Sequence, residues 1–294
     1  MSVFPPELIS VVDPRPIVSK VARETFGGAC GRPLLDGGRA IGTLHESEEA
    51  TVCFFEEIVP ADLNASREDQ TVTIFETIER VLRAEGMEFG HLVRTWFYLD
   101  KILDWYDCFN RARTPFLRAH GAFEGLMPAS TGIGMPNRHG AAVVAGALAI
   151  KCKGASVTEI ASPLQCPALD YKSSFSRAVE VGRAGRRELY ISGTASIELG
   201  GKTAYKGDPQ AQIELTMQVV EAILHSRRMN WCDCTRAIAY IKEAKDAPYF
   251  ADYLREHGME GLPLTWMHAD VCRDDLLFEI ELDAVSFRSN AAGS

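Results

Sequence analysis

The chain repeats itself. Residues 87–99 read MEFGHLVRTWFYL, and residues 229–241 read MNWCDCTRAIAYI. Aligning Met87 with Met229 sets an offset of 142 positions, and that offset also pairs Arg94 with Arg236, Tyr98 with Tyr240, Leu82 with Leu224 and Gln70 with Gln212. A match of this length marks one supersecondary unit used twice. The 294 residues therefore read as two similar units of ordinary domain size.

The periodicities give both units the same plan. In the first, Val72, Phe75, Ile78, Val81 and Leu82 form a helical stripe over 71–85. A β-branched and aromatic strand follows at 92–99, then a helix at 102–119 and a near-continuously apolar strand at 140–150. The second has strands at 189–197, 235–241 and 276–285, a helix at 210–227 with Leu215, Val219, Ala222 and Ile223 on one face, and a helix at 247–257. The expected class is α/β (α+β): two tandem domains, each a mixed sheet with two helices packed on one face. The expected domains are 1–155 and 156–288, joined where Gly-Ala-Ser and Ser-Pro pieces break the periodicity within 151–169, with a disordered tail at 289–294.

Composition narrows the partners. Apolar residues make up 46% and charged residues 24%, as in a soluble globular protein. A net charge of −9 counts against a nucleic-acid or membrane-surface binder, which needs a basic face, and leaves room for a local basic pocket. The first residues lack a basic and apolar leader, and no apolar run approaches the ~20 residues of a spanning helix, so a cytoplasmic protein is expected. The eight cysteines form no CxxC pair; only Cys232 and Cys234 lie close, and reduced thiols are the simplest reading. The histidines show no ligand spacing, and GxGxxG, HExxH and GxSxG are absent, so neither metal nor cofactor is implied.

The units differ in their last strands. The first ends in AAVVAGALAI, which offers no polar side chain; the second ends in LLFEIELDAV. Glu279, Glu281 and Asp283 alternate with apolar residues, so a period of two places all three on one sheet face. On alternation alone they line a solvated face; the functional alternative points Glu279 into a pocket as general acid or base. Cys272 lies seven positions earlier and reads by itself as a small buried residue, with no nearby histidine to activate it. Arg94 sits in an apolar strand, Arg111 and Arg113 on the second helix, and Arg177 just before a strand. An arginine in such surroundings is paired internally, snorkels, or binds an anion. The run PASTGIG (128–134), with Gly132 and Gly134, can bring backbone N–H groups close to a ligand; alone it reads as a turn, and without a following Lys-Ser/Thr it is no P-loop.

The second half, through FSRAV (175–179), ELYISGTASI (188–197), KGD (206–208) with Gln212, RAIAYIKE (236–243) and CRDDLLFEIELDAV (272–285), resembles the Rid/YjgF superfamily. That resemblance implies a chorismate-mutase-like sheet and assembly into homo-oligomers, trimers or an equivalent packing, with sites between units. Over both halves, RTW (94–96), FNRAR (109–113), PASTGIG, SGTASI (192–197), GD (207–208) and VCRDDLLFEIE (271–281) resemble the chorismatases, a two-domain branch of that superfamily. This implies hydrolysis of the enolpyruvyl ether of chorismate, with release of pyruvate. The glutamate and cysteine of that pattern fall on Glu279 and Cys272, its arginines on Arg94 and Arg113, and Ala195 lies near the reacting ring. The sequence departs at Phe97, which follows RTW, and in lacking a histidine after SGTASI. Phe175 and the stretch 262–271 depart from the Rid deaminase pattern, which has a tyrosine and an arginine there.

The leading expectation is a cofactor-independent hydrolase or lyase for chorismate or a related carboxylated enol ether. Glu279 and Cys272 are its catalytic candidates, and Arg94, Arg113, Arg177, Ala195, Gly132 and Gly134 its substrate-binding ones. A Rid-like enamine or imine deaminase and a non-catalytic binder of small carboxylates are the alternatives.

Overall fold

A computed structural model describes residues 31–287, apart from 155 and 184. The chain start and the tail at 289–294, where the absence of a leader and disorder were expected, lie outside the described residues. The first unit runs β1 (Arg32–Asp36), β2 (Arg39–Glu46), β3 (Ala50–Ile58), α1 (Arg67–Ala84), β4 (Leu92–Leu99), α2 (Tyr106–Ala119), β5 (Ala129–Gly134) and β6 (Val143–Cys152). The second runs β7 (Ser156–Ile160), β8 (Ala178–Arg183), β9 (Arg186–Ala195), α3 (Pro209–Ser226), β10 (Cys234–Ile241), α4 (Ala247–Glu256), β11 (Leu264–His268) and β12 (Phe278–Phe287).

Two six-stranded sheets result, ordered β1-β2-β3-β6-β4-β5 and β11-β10-β12-β9-β8-β7. In each, one pair is parallel, β4 with β5 and β10 with β11, because a helix carries the chain back across the sheet between them. The sheets are mixed, as the sequence predicts. The repeat holds in detail. Side chains of Ser66 and Asp208 cap α1 and α3 by accepting from the backbone N–H three residues on. Gln70 donates to the carbonyls of Leu63 and Ala65 and accepts from the Ala142 N–H; Gln212 donates to those of Tyr205 and Asp275 and accepts from the Leu277 N–H. In both units a buried glutamine ties the loop before the first helix to the chain leading into the last strand.

The helices of each unit cover one sheet face. Phe75, Ile78, Leu82, Phe97 and Phe109 fill the first helix–sheet layer, and Met217, Val220, Phe250, Ile280 and Leu282 the second. The other two faces pack on each other, with Val52, Phe54, Trp96 and Tyr98 meeting Val179, Tyr190, Ile238 and Tyr240. The order of layers is helices, sheet, sheet, helices.

Two expectations are corrected by this packing. The alternation of Glu279, Glu281 and Asp283 holds, but their face is the buried sheet–sheet interface, where they are 5%, 0% and 4% exposed. Residues 128–134 do not form a turn: Ala129–Gly134 is the strand β5, at the edge that meets the second unit. Gly134 exchanges both backbone hydrogen bonds with Asp270, and a Cβ at Gly134 would stand 2.7 Å from that of Asp270. The glycine serves close approach of two backbones.

Candidate active site

The ladder between β10 and β12 sets Glu279 opposite Tyr240, Glu281 opposite Ile238 and Asp283 opposite Arg236. In the first unit the β4–β6 ladder sets Val144, Gly146 and Leu148 opposite Tyr98, Trp96 and Arg94. The three carboxylates therefore belong to the second copy alone.

Glu281 is fully committed. Its Oε2 accepts from Arg94 Nη2 (2.8 Å) and the Thr131 hydroxyl, and its Oε1 from Arg236 Nη1 (2.7 Å) and Trp96 Nε1 (2.8 Å). Arg236 also donates from Nε to Asp283 Oδ2 (2.7 Å). The two repeat-related arginines thus flank one carboxylate, and two cations balance two anions. Burial pushes the Glu281 carboxyl up, but the guanidiniums more than reverse this and hold it below the usual carboxylate value. Arg94 is an internal ion-pair partner with no exposed surface, and it does not line the cavity described below. Its assignment to substrate is corrected accordingly, as is that of Gly134, which joins the two sheet edges.

Glu279, one pleat along the same face, is left without partners. No hydrogen bond reaches its carboxyl among the described residues. Burial, reinforced by the charge of Glu281, raises it to about 8, against the pull of Arg177 and Arg94. Gly193 makes room for it: a Cβ there would stand 2.0 Å from Glu279 Oε1.

Glu279 lines a cavity of about 20 Å³ between the units. The first unit contributes Arg113 and Gly132, with Tyr106 and Ser130; the second contributes Arg177, Ala195 and Cys272, with Tyr171, Phe175, Gly193 and Ile197. Six of the eight predicted site residues thus converge. Arg113, on α2, is 2% exposed; its Nε donates to Asn110 Oδ1 (3.0 Å), its Cζ lies 4.8 Å from the Phe109 ring centroid, and its Nη2 has no partner. Burial lowers its pKa, as for a cation lacking its counter-ion. Arg177 donates from Nε and Nη2 to the Cys166 carbonyl and lies 5.3 and 5.6 Å from the ring centroids of Tyr171 and Phe175. Neither Arg113 nor Arg177 has an ion-pair partner among the described residues. Burial, with the charge of Glu279 second, pushes the Cys272 thiol up to about 12, so it stands as a neutral wall group. Among the described residues no three metal-ligating side chains cluster; Cys232 is exposed and Cys234 buried.

This arrangement can deliver a proton from a neutral carboxylic acid beside two guanidiniums able to hold carboxylates. Sequence reasoning missed Tyr106, Ser130, Tyr171, Gly193 and Ile197. Only Gly193 left a signal, a glycine inside a strand, which marks close approach.

Residues 38–148 match the family model described as chorismatase FkbO/Hyg5-like, N-terminal. A 3-hydroxybenzoate synthase of Streptomyces hygroscopicus is 28% identical over 239 residues, 71% of this chain and 66% of that protein. A chorismatase of the same organism is 26% identical over 236 residues, 72% of this chain and 66% of that protein. The match spans just under two thirds of the length of these relatives. The crystal structure of a chorismatase superposes with a TM-score of 0.69 at 22% identity, covering 86% of this chain and 80% of the other, which shows a shared fold. In sequence and in fold the chain resembles the chorismatases.

Proposed function

We propose that this chorismatase-like chain processes chorismate, or a closely related dicarboxylate enol ether, by hydrolysis with release of pyruvate. The observation that carries the reading is the pairing of a buried, unpartnered carboxyl on Glu279 with the two uncompensated guanidiniums of Arg113 and Arg177 in one enclosed cavity. The names of the curated relatives support the substrate class.

Hydrolysis then needs a single acid–base group. Glu279 donates its proton to the terminal methylene carbon of the enol ether, leaving an oxocarbenium ion at the ether-bearing carbon and a carboxylate beside it. Water adds to that carbon, and the hemiketal collapses to pyruvate and a ring alcohol as its protons return to Glu279 and the leaving oxygen. Arg113 and Arg177 hold the carboxylates, which fixes the methylene against the acid. Cys272, Ala195 and Gly132 shape the wall around the ring.

The test is pyruvate release from chorismate by the purified protein, followed by lactate dehydrogenase coupling. Glu279→Gln removes the proton and keeps the shape, so the rate is expected to fall about 10²–10⁴-fold with an unchanged circular dichroism spectrum. An unaffected rate would remove Glu279 from the mechanism.

A further inference from the structure

The cavity holding Glu279 has room for about one water molecule, so a ring dicarboxylate reaches the acid only through a wall that moves. Beyond Tyr106, Tyr171 and Cys272 lies an open groove of about 760 Å³, and these three residues line both spaces. The groove gathers Arg111, Arg118, Lys172 and Arg273 around a single carboxylate, Asp107. None of the four cations has an ion-pair partner among the described residues. Their other close contacts are with neutral groups: Arg111 donates to Cys108 Sγ, Arg118 lies 4.6 Å from the Phe123 ring centroid, and Arg273 donates to the Gly201 carbonyl, though Asp275 outside the groove feels the Arg273 charge. Several arginines elsewhere are paired with acids, as in Arg32–Glu85, Arg80–Asp36 and Arg227–Glu180. In a chain of net charge −9, four cations against one carboxylate on one groove make a local positive field in a negative molecule.

The wall between the two spaces continues that field. The ring centroid of Tyr171 has the groove's Arg273 at 5.1 Å and the cavity's Arg177 at 5.3 Å. The Tyr106 hydroxyl meets Ser173 Oγ at 3.4 Å across the seam. Guanidiniums of the groove and of the cavity thus both lie against the Tyr171 ring.

We propose that this groove is a capture port for a dicarboxylate, which Arg111, Arg118, Lys172 and Arg273 hold before it enters the closed cavity. The port rests on the reading that the inner cavity acts on such an anion. Arg111 and Arg118 are exposed, so their replacement leaves the core intact. In the full chain, Arg111→Gln with Arg118→Gln is expected to lower kcat/KM for chorismate about tenfold at low ionic strength. The same change moves kcat by less than twofold and flattens the salt dependence seen in the unaltered protein. Arg80→Gln with Arg255→Gln makes the same change in net charge away from the groove. An unchanged kcat/KM, a loss confined to kcat, or an equal loss in this control pair overturns the port. Calorimetric titration with isophthalate separates the port from the chemistry. Should pyruvate never form, weaker isophthalate binding in the Arg111/Arg118 variant still upholds the port, and binding indifferent to both the variant and salt overturns it.

Discussion

A carboxyl stays protonated near neutral pH when it is kept dry and kept away from donors; Glu279 meets both conditions, while Glu281, two residues on, is just as dry but is held by donors. The difference lies in Gly193. Its missing side chain opens the space that Glu279 occupies, whereas Glu281 is met by Arg94, Arg236, Trp96 and Thr131. Gly193→Ala puts a methyl group on the Glu279 carboxyl and displaces it. Pyruvate release is expected to fall at least about tenfold, the cost of losing one positioned proton donor in part, and an unaltered rate would show that the carboxyl does not need that space. At this scale the sequence was informative where a charge sat in apolar surroundings, as at Glu279 and Arg177, while the family resemblance singled out Cys272 and Arg113; all four line one cavity. Arg94 carried the same signal and plays a different part. Its partner Glu281 is 187 positions away, and no local pattern distinguishes a buried ion pair from an empty anion site.

The elements were read best where the repeat supplied a second view. The strand expected at 92–99 is β4, and the helices differ from expectation only at their ends; α1 starts four residues before the expected position, where the Ser66 side chain caps it by accepting from the Asp69 N–H. The short strands β1, β7 and β11 went unread, because five residues at a sheet edge carry too few alternations to stand out, and the longer β2 and β3 were given no range either. Strand β5 was misread because glycine marks a turn locally and a close backbone approach tertiarily, and only the fold distinguishes the two. The repeat also exposes a flaw. Gly86 and Arg228 occupy the same left-handed position after α1 and α3, with φ of 66° and 57°, and the following methionine N–H closes onto the carbonyl of Leu82 or Leu224. Arginine is strained there and glycine is not. Arg228→Gly is expected to stabilise the protein by about 0.5–1 kcal/mol, a rise of ~2 °C in Tm by calorimetry. An unchanged or lower Tm would contradict this.

At the scale of the molecule, two copies of one unit line a cavity that neither forms alone. The second copy contributes Glu279, the first contributes Arg113, and both side chains are buried. The charges in the interface balance without Glu279, since Arg94 and Arg236 answer Glu281 and Asp283. Ionising Glu279 would bury a desolvated carboxylate near the charge of Glu281, which outweighs the pull of Arg177 and Arg94, so the folded state favours its proton. The sign for stability follows: the folded value, about 8, lies above the ordinary value of 4.5. The proton's contribution is therefore full below about 4.5 and lost as pH rises through about 8. Carbon NMR of protein labelled at the glutamate carboxyls, with Glu279→Gln to identify the resonance, reads this group directly. Titration of that resonance near pH 8 is the predicted result; a midpoint near 4.5, the value of an open carboxylate, would contradict a protonated acid enclosed between the two units.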